Sequence, residues 1–301
     1  MELSWSMKLR IGAAAAVGIL IIGVLAWPIA APADPLGTVS LIGNSLTFGN
    51  AVILVGLAVL TGFIAYFLSW PYGRQIGVIA VPFGLAVWAL RSGGMTNLIR
   101  AHQGAAQRLG LFESLKWEPL FWLVIVIAGF LGVLAGSAVH RKTRQIQVRP
   151  TMTKKSSKYV NWAIAIIVTV LVAQFCIVAL GKDISIYDAR LGSVVSEPAN
   201  SQIAFATAVS FLIAAFLVKI LLGVGYIWPT ISSALLTAFV TRTYLNQDLM
   251  EHLSANWPVV FLPNSAGFVL PIQMVCFGTL GSIAGYWLAV QYKAWRQECK
   301  K

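Results

Sequence analysis

Acidic side chains are scarce in this chain, with 10 Asp and Glu against 22 Lys and Arg in 301 residues. Cysteine and histidine are scarcer, three of each. Cys176, Cys276 and Cys299 are too far apart for a disulfide framework or a zinc-ligand spacing. His102, His140 and His252 are equally scattered, so no metal site is expected. Catalytic and nucleotide-binding signatures are missing as well: there is no H-E-x-x-H, no P-loop and no G-x-G-x-x-G. Gly43-Asn44-Ser45-Leu46-Thr47 begins like a nucleophile elbow but lacks the closing glycine. These absences lead to the expectation of a non-enzyme with no cofactor and no nucleotide site of its own.

Apolar residues are what the chain has in abundance. They make up 58% of it, charged residues only 11%, and the mean hydropathy is +0.79. A chain of this composition belongs in a bilayer. Crossing about 30 Å of hydrocarbon takes roughly 20 apolar residues, each with its backbone bonded internally, which favours helices. Eight such runs are read, at about 11–31, 48–69, 74–91, 119–139, 160–181, 202–222, 226–241 and 267–290. No acid lies inside a run; Glu118 stands at the edge of the fourth, and Lys219 lies near one end of the sixth. Intramembrane acids mark proton relays, so proton coupling is disfavoured.

The net charge of +12 raises the question of nucleic acid, and the placement of the charges answers it. With the N-terminus cytoplasmic, the inner segments hold 15 of the 22 basic residues, and the outer segments hold eight of the ten acids. This is the positive-inside bias. Both termini are expected in the cytoplasm, in a bacterial inner membrane. The basic cluster from Arg141 to Lys158 is read as a loop against anionic headgroups, with no nucleic-acid partner. Lys8, Arg10 and Ala31-Pro32-Ala33 imitate a secretory signal. The first run is nevertheless expected to be kept, because 160–181 is its counterpart.

Gly129-Phe130-Leu131-Gly132-Val133-Leu134-Ala135-Gly136 returns as Gly278-Thr279-Leu280-Gly281-Ser282-Ile283-Ala284-Gly285, 149 residues later (278 − 129) and with five of eight positions identical. The expected fold class is therefore all-α, with eight spans in two parallel four-helix repeats: 1–139, a basic linker at 140–158, and 159–301. Gly132 and Gly136, like Gly281 and Gly285, form G-x-x-x-G, a pattern that lets helix backbones approach closely.

Short or interrupted spans at matching places in two repeats are the pattern of a solute path. The third run carries Pro82 and Gly84 and ends at Arg91; the seventh carries Ser232, Ser233 and Thr237 and ends at Arg242. These seven residues are the expected solute-binding set of a permease-like component. The alternative is a scaffold or assembly subunit of a larger membrane complex. A third reading is an outward-facing enzyme assembled from Arg100, His102, Glu113, Asp248, Glu251 and His252. The outer segments Met95 to Trp117 and Tyr244 to Trp257 are expected to lie as amphipathic caps, with both tryptophans at headgroup level. A cytoplasm-dependent reporter fused after Lys301 should be active and the same reporter inserted after Gly192 silent; the reverse pattern would overturn the orientation.

Overall fold

The computed structural model describes residues 5–32, 34, 37–43, 46–102, 104–143 and 156–299, with backbone only at 141–143 and 156–158. Most of the expected linker, 144–155, lies outside the described residues, as do Ala33, Asn44, Ser45, Lys300 and Lys301. The chain is 78% helical. Among the described residues seven helical segments are long and apolar enough to cross a membrane: Trp5–Leu25, Phe48–Leu68, Gly73–Arg91, Ala105–His140, Tyr159–Leu180, Asn200–Leu222 and Pro271–Glu298.

In chain order, α1 (Trp5–Gly18) continues into a π-helical stretch at Ile19–Leu25, followed by α2 (Trp27–Ala30) and a 3₁₀ turn at Leu41–Gly43. Then come α3 (Phe48–Leu68), α4 (Gly73–Ile76), a 3₁₀ turn at Gly77–Ile79, α5 (Ala80–Arg91), α6 (Met95–Arg100), α7 (Ala105–Leu115) and α8 (Glu118–Thr143). The second half comprises α9 (Ser156–Leu180), β1 (Ser185–Asp188), β2 (Gly192–Ser196), α10 (Asn200–Leu222), α11 (Ile227–Thr243), α12 (Gln247–Asn256), β3 (Phe261–Leu262), a 3₁₀ turn at Ser265–Phe268 and α13 (Pro271–Glu298). The seventh apolar run forms α11, which has only 17 residues. At 1.5 Å per residue it reaches about 25 Å, the lower limit for a crossing.

A three-stranded antiparallel sheet, ordered β1-β2-β3, departs from the all-helical expectation. Its strands are two to five residues long, below the length at which alternation is readable. Gly192, at φ 77°, supplies the left-handed residue that closes the β1–β2 turn.

The most extensive helix contacts are α3 with α8 and α10 with α13. In both, glycine removes the side chain that would hold the backbones apart. A Cβ at Gly132 would strike the Val59 carbonyl, and one at Gly281 the Ala208 carbonyl. Gly62 meets the Gly129 carbonyl, and Gly285 the Leu212 carbonyl. Gly136 faces the Tyr66 ring, while Gly278 faces Ser233 and Phe211. Because contacts advance along both partners in the same sense, each pair runs parallel. Around these pairs, α5 packs on α13, α11 on α8, and α8 on α13. One apolar core joins the halves, running from Ile22 and Trp88 through Trp122 and Val126 to Met274 and Phe277.

The first run breaks at its C-terminal end for a local reason. In the π-helical stretch Ala26 N–H bonds the Ile21 carbonyl, five residues back. The corresponding partner of the Gly23 carbonyl is Pro28, which has no N–H. The Trp88 indole N–H donates to that carbonyl instead, at 3.2 Å. Gly132→Leu and Gly281→Leu should each lower the thermal midpoint and the yield of monodisperse protein, since overpacking costs about 1–3 kcal/mol. Gly12→Leu, where an added Cβ meets nothing within 4 Å, should change neither in size-exclusion and melting measurements.

Candidate functional site

α11 places Ser232, Ser233 and Thr237 in the interior, each at most 2% exposed. All three hydroxyls turn back on their own helix. Ser232 donates to the Trp228 carbonyl at 2.9 Å, Ser233 to Thr230 at 2.7 Å and Thr237 to Ser233 at 3.0 Å. Thr241 continues the series onto Thr237 at 2.9 Å. A hydroxyl bonded in this way has its single hydrogen committed, leaving only acceptor capacity for a solute. Thr230, Thr207 and Thr279 bury hydroxyl oxygens that no described group meets. Pro229 lies in the first turn of α11, where its missing N–H interrupts no helical bond.

The third run distributes its residues differently. α5 passes through Pro82 without a break, and the irregular turn precedes it at Gly77–Ile79. Gly84 is where α5 crosses the first span: a Cβ there would meet Gly18 and Ile22. Arg91 is exposed and lies over the Trp27 ring, 4.4 Å from its centroid. Arg242 is exposed at the end of α11. The seven expected solute-binding residues are therefore spread over a helix interior, a helix crossing and two surface positions.

Three side chains of the second half grip the end of α5 and the start of α6. Gln273 Nε2 donates to the Ala89 carbonyl at 3.4 Å, and its Oε1 accepts from Leu270 N–H at 3.0 Å. Asn200 Nδ2 donates to the Ser92 carbonyl at 3.3 Å, and Glu197 Oε1 accepts from Thr96 N–H at 3.1 Å. Sequence reading notes Gln273 as a buried amide but does not foresee this lock, because its partners are 101 to 184 residues away.

Beside the lock, a cavity of about 490 Å³ is bordered by Asp34, Thr38, Asn97, Arg100 and His102. A smaller one beside it shares Asp34 and adds Arg91. Arg100 is exposed. His102 Nδ1 lies 2.9 Å from the Leu98 carbonyl. Only a protonated Nδ1 makes that bond, so Nε2 of the neutral ring is left as an acceptor. The cavity thus presents a guanidinium, a carboxylate, an amide and an imidazole. Glu118 anchors the loop that forms one wall. It is 1% exposed and accepts from Ser40 Oγ–H at 2.6 Å and Trp122 Nε1–H at 2.9 Å.

The residues of the expected enzyme reading divide between two places. Arg100 and His102 border this cavity, whereas Asp248, Glu251 and His252 belong to α12. Glu113 pairs with Lys116 on α7 at 3.1 Å. α12 is tied to the sheet by Asp188. Its Oδ2 accepts from His252 Nε2–H at 3.0 Å and Trp257 Nε1–H at 2.6 Å, while Oδ1 accepts the Arg190 and Leu191 N–H groups at 2.8 and 2.7 Å. Trp257 therefore holds the sheet, whereas Trp117 is 65% exposed. Amphipathic packing is found for both caps, with Leu111, Phe112, Met250 and Leu253 buried and Phe112 stacked on Tyr244 at 4.9 Å.

The bonds from His252 and Trp257 hold the Asp188 carboxyl well below the usual carboxylate range. A depressed folded pKa contributes stability above the unfolded value of about 3.9, and that contribution is lost as pH falls towards the folded value. The melting midpoint of the native chain should therefore drop between about pH 5 and pH 2. Asp188→Asn should melt lower at neutral pH and lose less over that window; equal slopes would disprove the coupling. Among the described residues no group of three or more His, Cys, Asp or Glu is placed to hold a metal ion. Comparison with protein-family models, with curated proteins and with solved structures returns no match.

Proposed function

We propose that the chain is a non-catalytic assembly subunit of a membrane complex, built as two parallel four-helix repeats with both termini in the cytoplasm of a bacterial cell. The carrying observation is the filled centre. Where a solute path between α5 and α11 would run, Val81 abuts Gly129, Ser233 abuts Gly278, and the hydroxyls of Ser232, Ser233 and Thr237 are spent on their own helix. A carrier needs polar groups turned towards a cavity, and these are turned away.

The repeat is supported by equivalent contacts. Gly132 meets Val59 and Gly281 meets Ala208, and both members of the second pair lie 149 residues after those of the first (281 − 132 and 208 − 59). The α5–α13 contact likewise mirrors the α11–α8 contact. With four spans in each half, the two share one orientation.

The second reading is a permease-like component that captures solute outside the expected path. It is favoured by the cavity at Asp34, Arg100 and His102 and by the unmet hydroxyls of Thr207, Thr230 and Thr279. Purification of the tagged full-length chain in mild detergent, followed by native electrophoresis and mass measurement, tests the choice. An assembly subunit should run in a particle of fixed composition that survives the combined Ser232→Ala, Ser233→Ala and Thr237→Val substitutions. A lone chain that moves solute into liposomes, with at least tenfold less uptake after Arg100→Gln or after the triple substitution, would overturn the proposal.

A further inference from the structure

The helices leave a notch on the flank of the bundle. Between the first span and α10, over α13, lies a half-open crevice of about 270 Å³ lined by Ile11, Phe83, Leu212, Ala284 and Trp287, with Gly281 at its floor. Both halves contribute to it, and its walls are apolar. Along α13 it runs from Leu280 to Trp287, about 10 Å at 1.5 Å per residue. A notch of this size is too small for a helix, whose diameter is about 10–12 Å.

The ends of the crevice differ in charge. On α10, Ala208, Leu212 and Lys219 follow one another at helical spacing on one face. Lys219 stands about 16 Å beyond Ala208 and 10 Å beyond Leu212, close to the half-thickness of the hydrocarbon layer, about 15 Å. Lys219 Nζ lies 4.7 Å from the centroid of the Tyr286 ring, and Lys293 Nζ donates to the Lys219 carbonyl at 3.0 Å. On α1, exposed Lys8 sits one turn beyond Ile11, towards the same end. That the ends coincide follows from the packing: Gly18 crosses Ala80 and Gly23 meets Val87, so α1 runs parallel to α5, and Met7 and Ile11 near the start of α1 pack on the same apolar cluster as Tyr226 just after α10 and Trp287 of α13.

We propose that this crevice is a specific site for an anionic phospholipid, one acyl chain lying in the notch and the phosphate between Lys8 and Lys219. Depth, apolar walls and the cationic end all match that one ligand. The proposal is independent of whether the chain acts in a complex or alone.

The full-length chain, delipidated and returned to detergent containing either phosphatidylglycerol or phosphatidylcholine, can be read by native mass spectrometry. One phosphatidylglycerol per chain should be retained, with about fivefold weaker retention for each of Lys8→Gln and Lys219→Gln. Ala284→Phe fills the notch and should abolish retention while leaving the size-exclusion profile unchanged. Ala208→Phe, from the opposite wall, serves the same purpose if Ala284→Phe does not fold. Equal retention of the two lipids, retention unaltered in a folded notch-filling variant, or a chain dimer that the notch-filling variant dissociates would each overturn the site.

Discussion

Close backbone approach at glycine governs this molecule. In lipid there is no apolar driving force between helices, so association rests on van der Waals contact and a few hydrogen bonds. Gly62, Gly129 and Gly132 bring α3 and α8 together, and Gly281 and Gly285 do the same for α10 and α13. With these pairs fixed, α8 and α13 can meet at the centre and α5 and α11 can pack across onto the opposite half. A side chain at Gly62, Gly132, Gly281 or Gly285 would meet backbone, which has no rotamer by which to yield.

Polar groups follow a matching economy of placement. The hydroxyls of Ser210, Thr237 and Ser282 bond to carbonyls four residues back, which satisfies them without help from a neighbour. Carboxylates that are buried (Glu118, Asp188) or half-buried (Glu197) instead act on loops. Glu118 holds the Ser40 segment over α8, Glu197 caps the start of α6, and Asp188 joins the hairpin turn to α12. All three lie at the end of the bundle opposite the basic one, where the backbone leaves helical geometry and its N–H groups need acceptors. Long-helix interiors free of acids among the described residues and one end of the bundle stitched by them are two results of the same rule, that a charge is buried only where donors surround it.

The long apolar runs were readable because a crossing helix is specified residue by residue. The expected 48–69 and 202–222 emerge as Phe48–Leu68 and Asn200–Leu222, within two residues at every end. Ends shaped by contacts were less readable. The first run begins earlier, at Trp5, and breaks before Trp27, where Pro28 and Trp88 redirect the Gly23 carbonyl. The last begins at Pro271 and not at 267, because Ser265–Phe268 forms a 3₁₀ turn. Of the candidate site, sequence supplied Arg91, Arg100 and His102 as residues but not their company. The cavity beside Asp34 exists only because the loop after α2 folds back over α6 and is held there by Glu118.

Composition and run length by themselves determined that this is a helical membrane protein, since a bilayer leaves an apolar backbone few other ways to satisfy its N–H and C=O groups. Tertiary structure alone decided what each polar residue does: that Ser232, Ser233 and Thr237 face their own helix, that Gly84 is a crossing point, and that Trp257 and His252 serve Asp188. The reason is physical. Burial of apolar area depends on the kind of residue, whereas a hydrogen bond depends on two groups lying within about 3 Å at the right angle, and partners 64 to 184 residues apart meet only when the helices have packed.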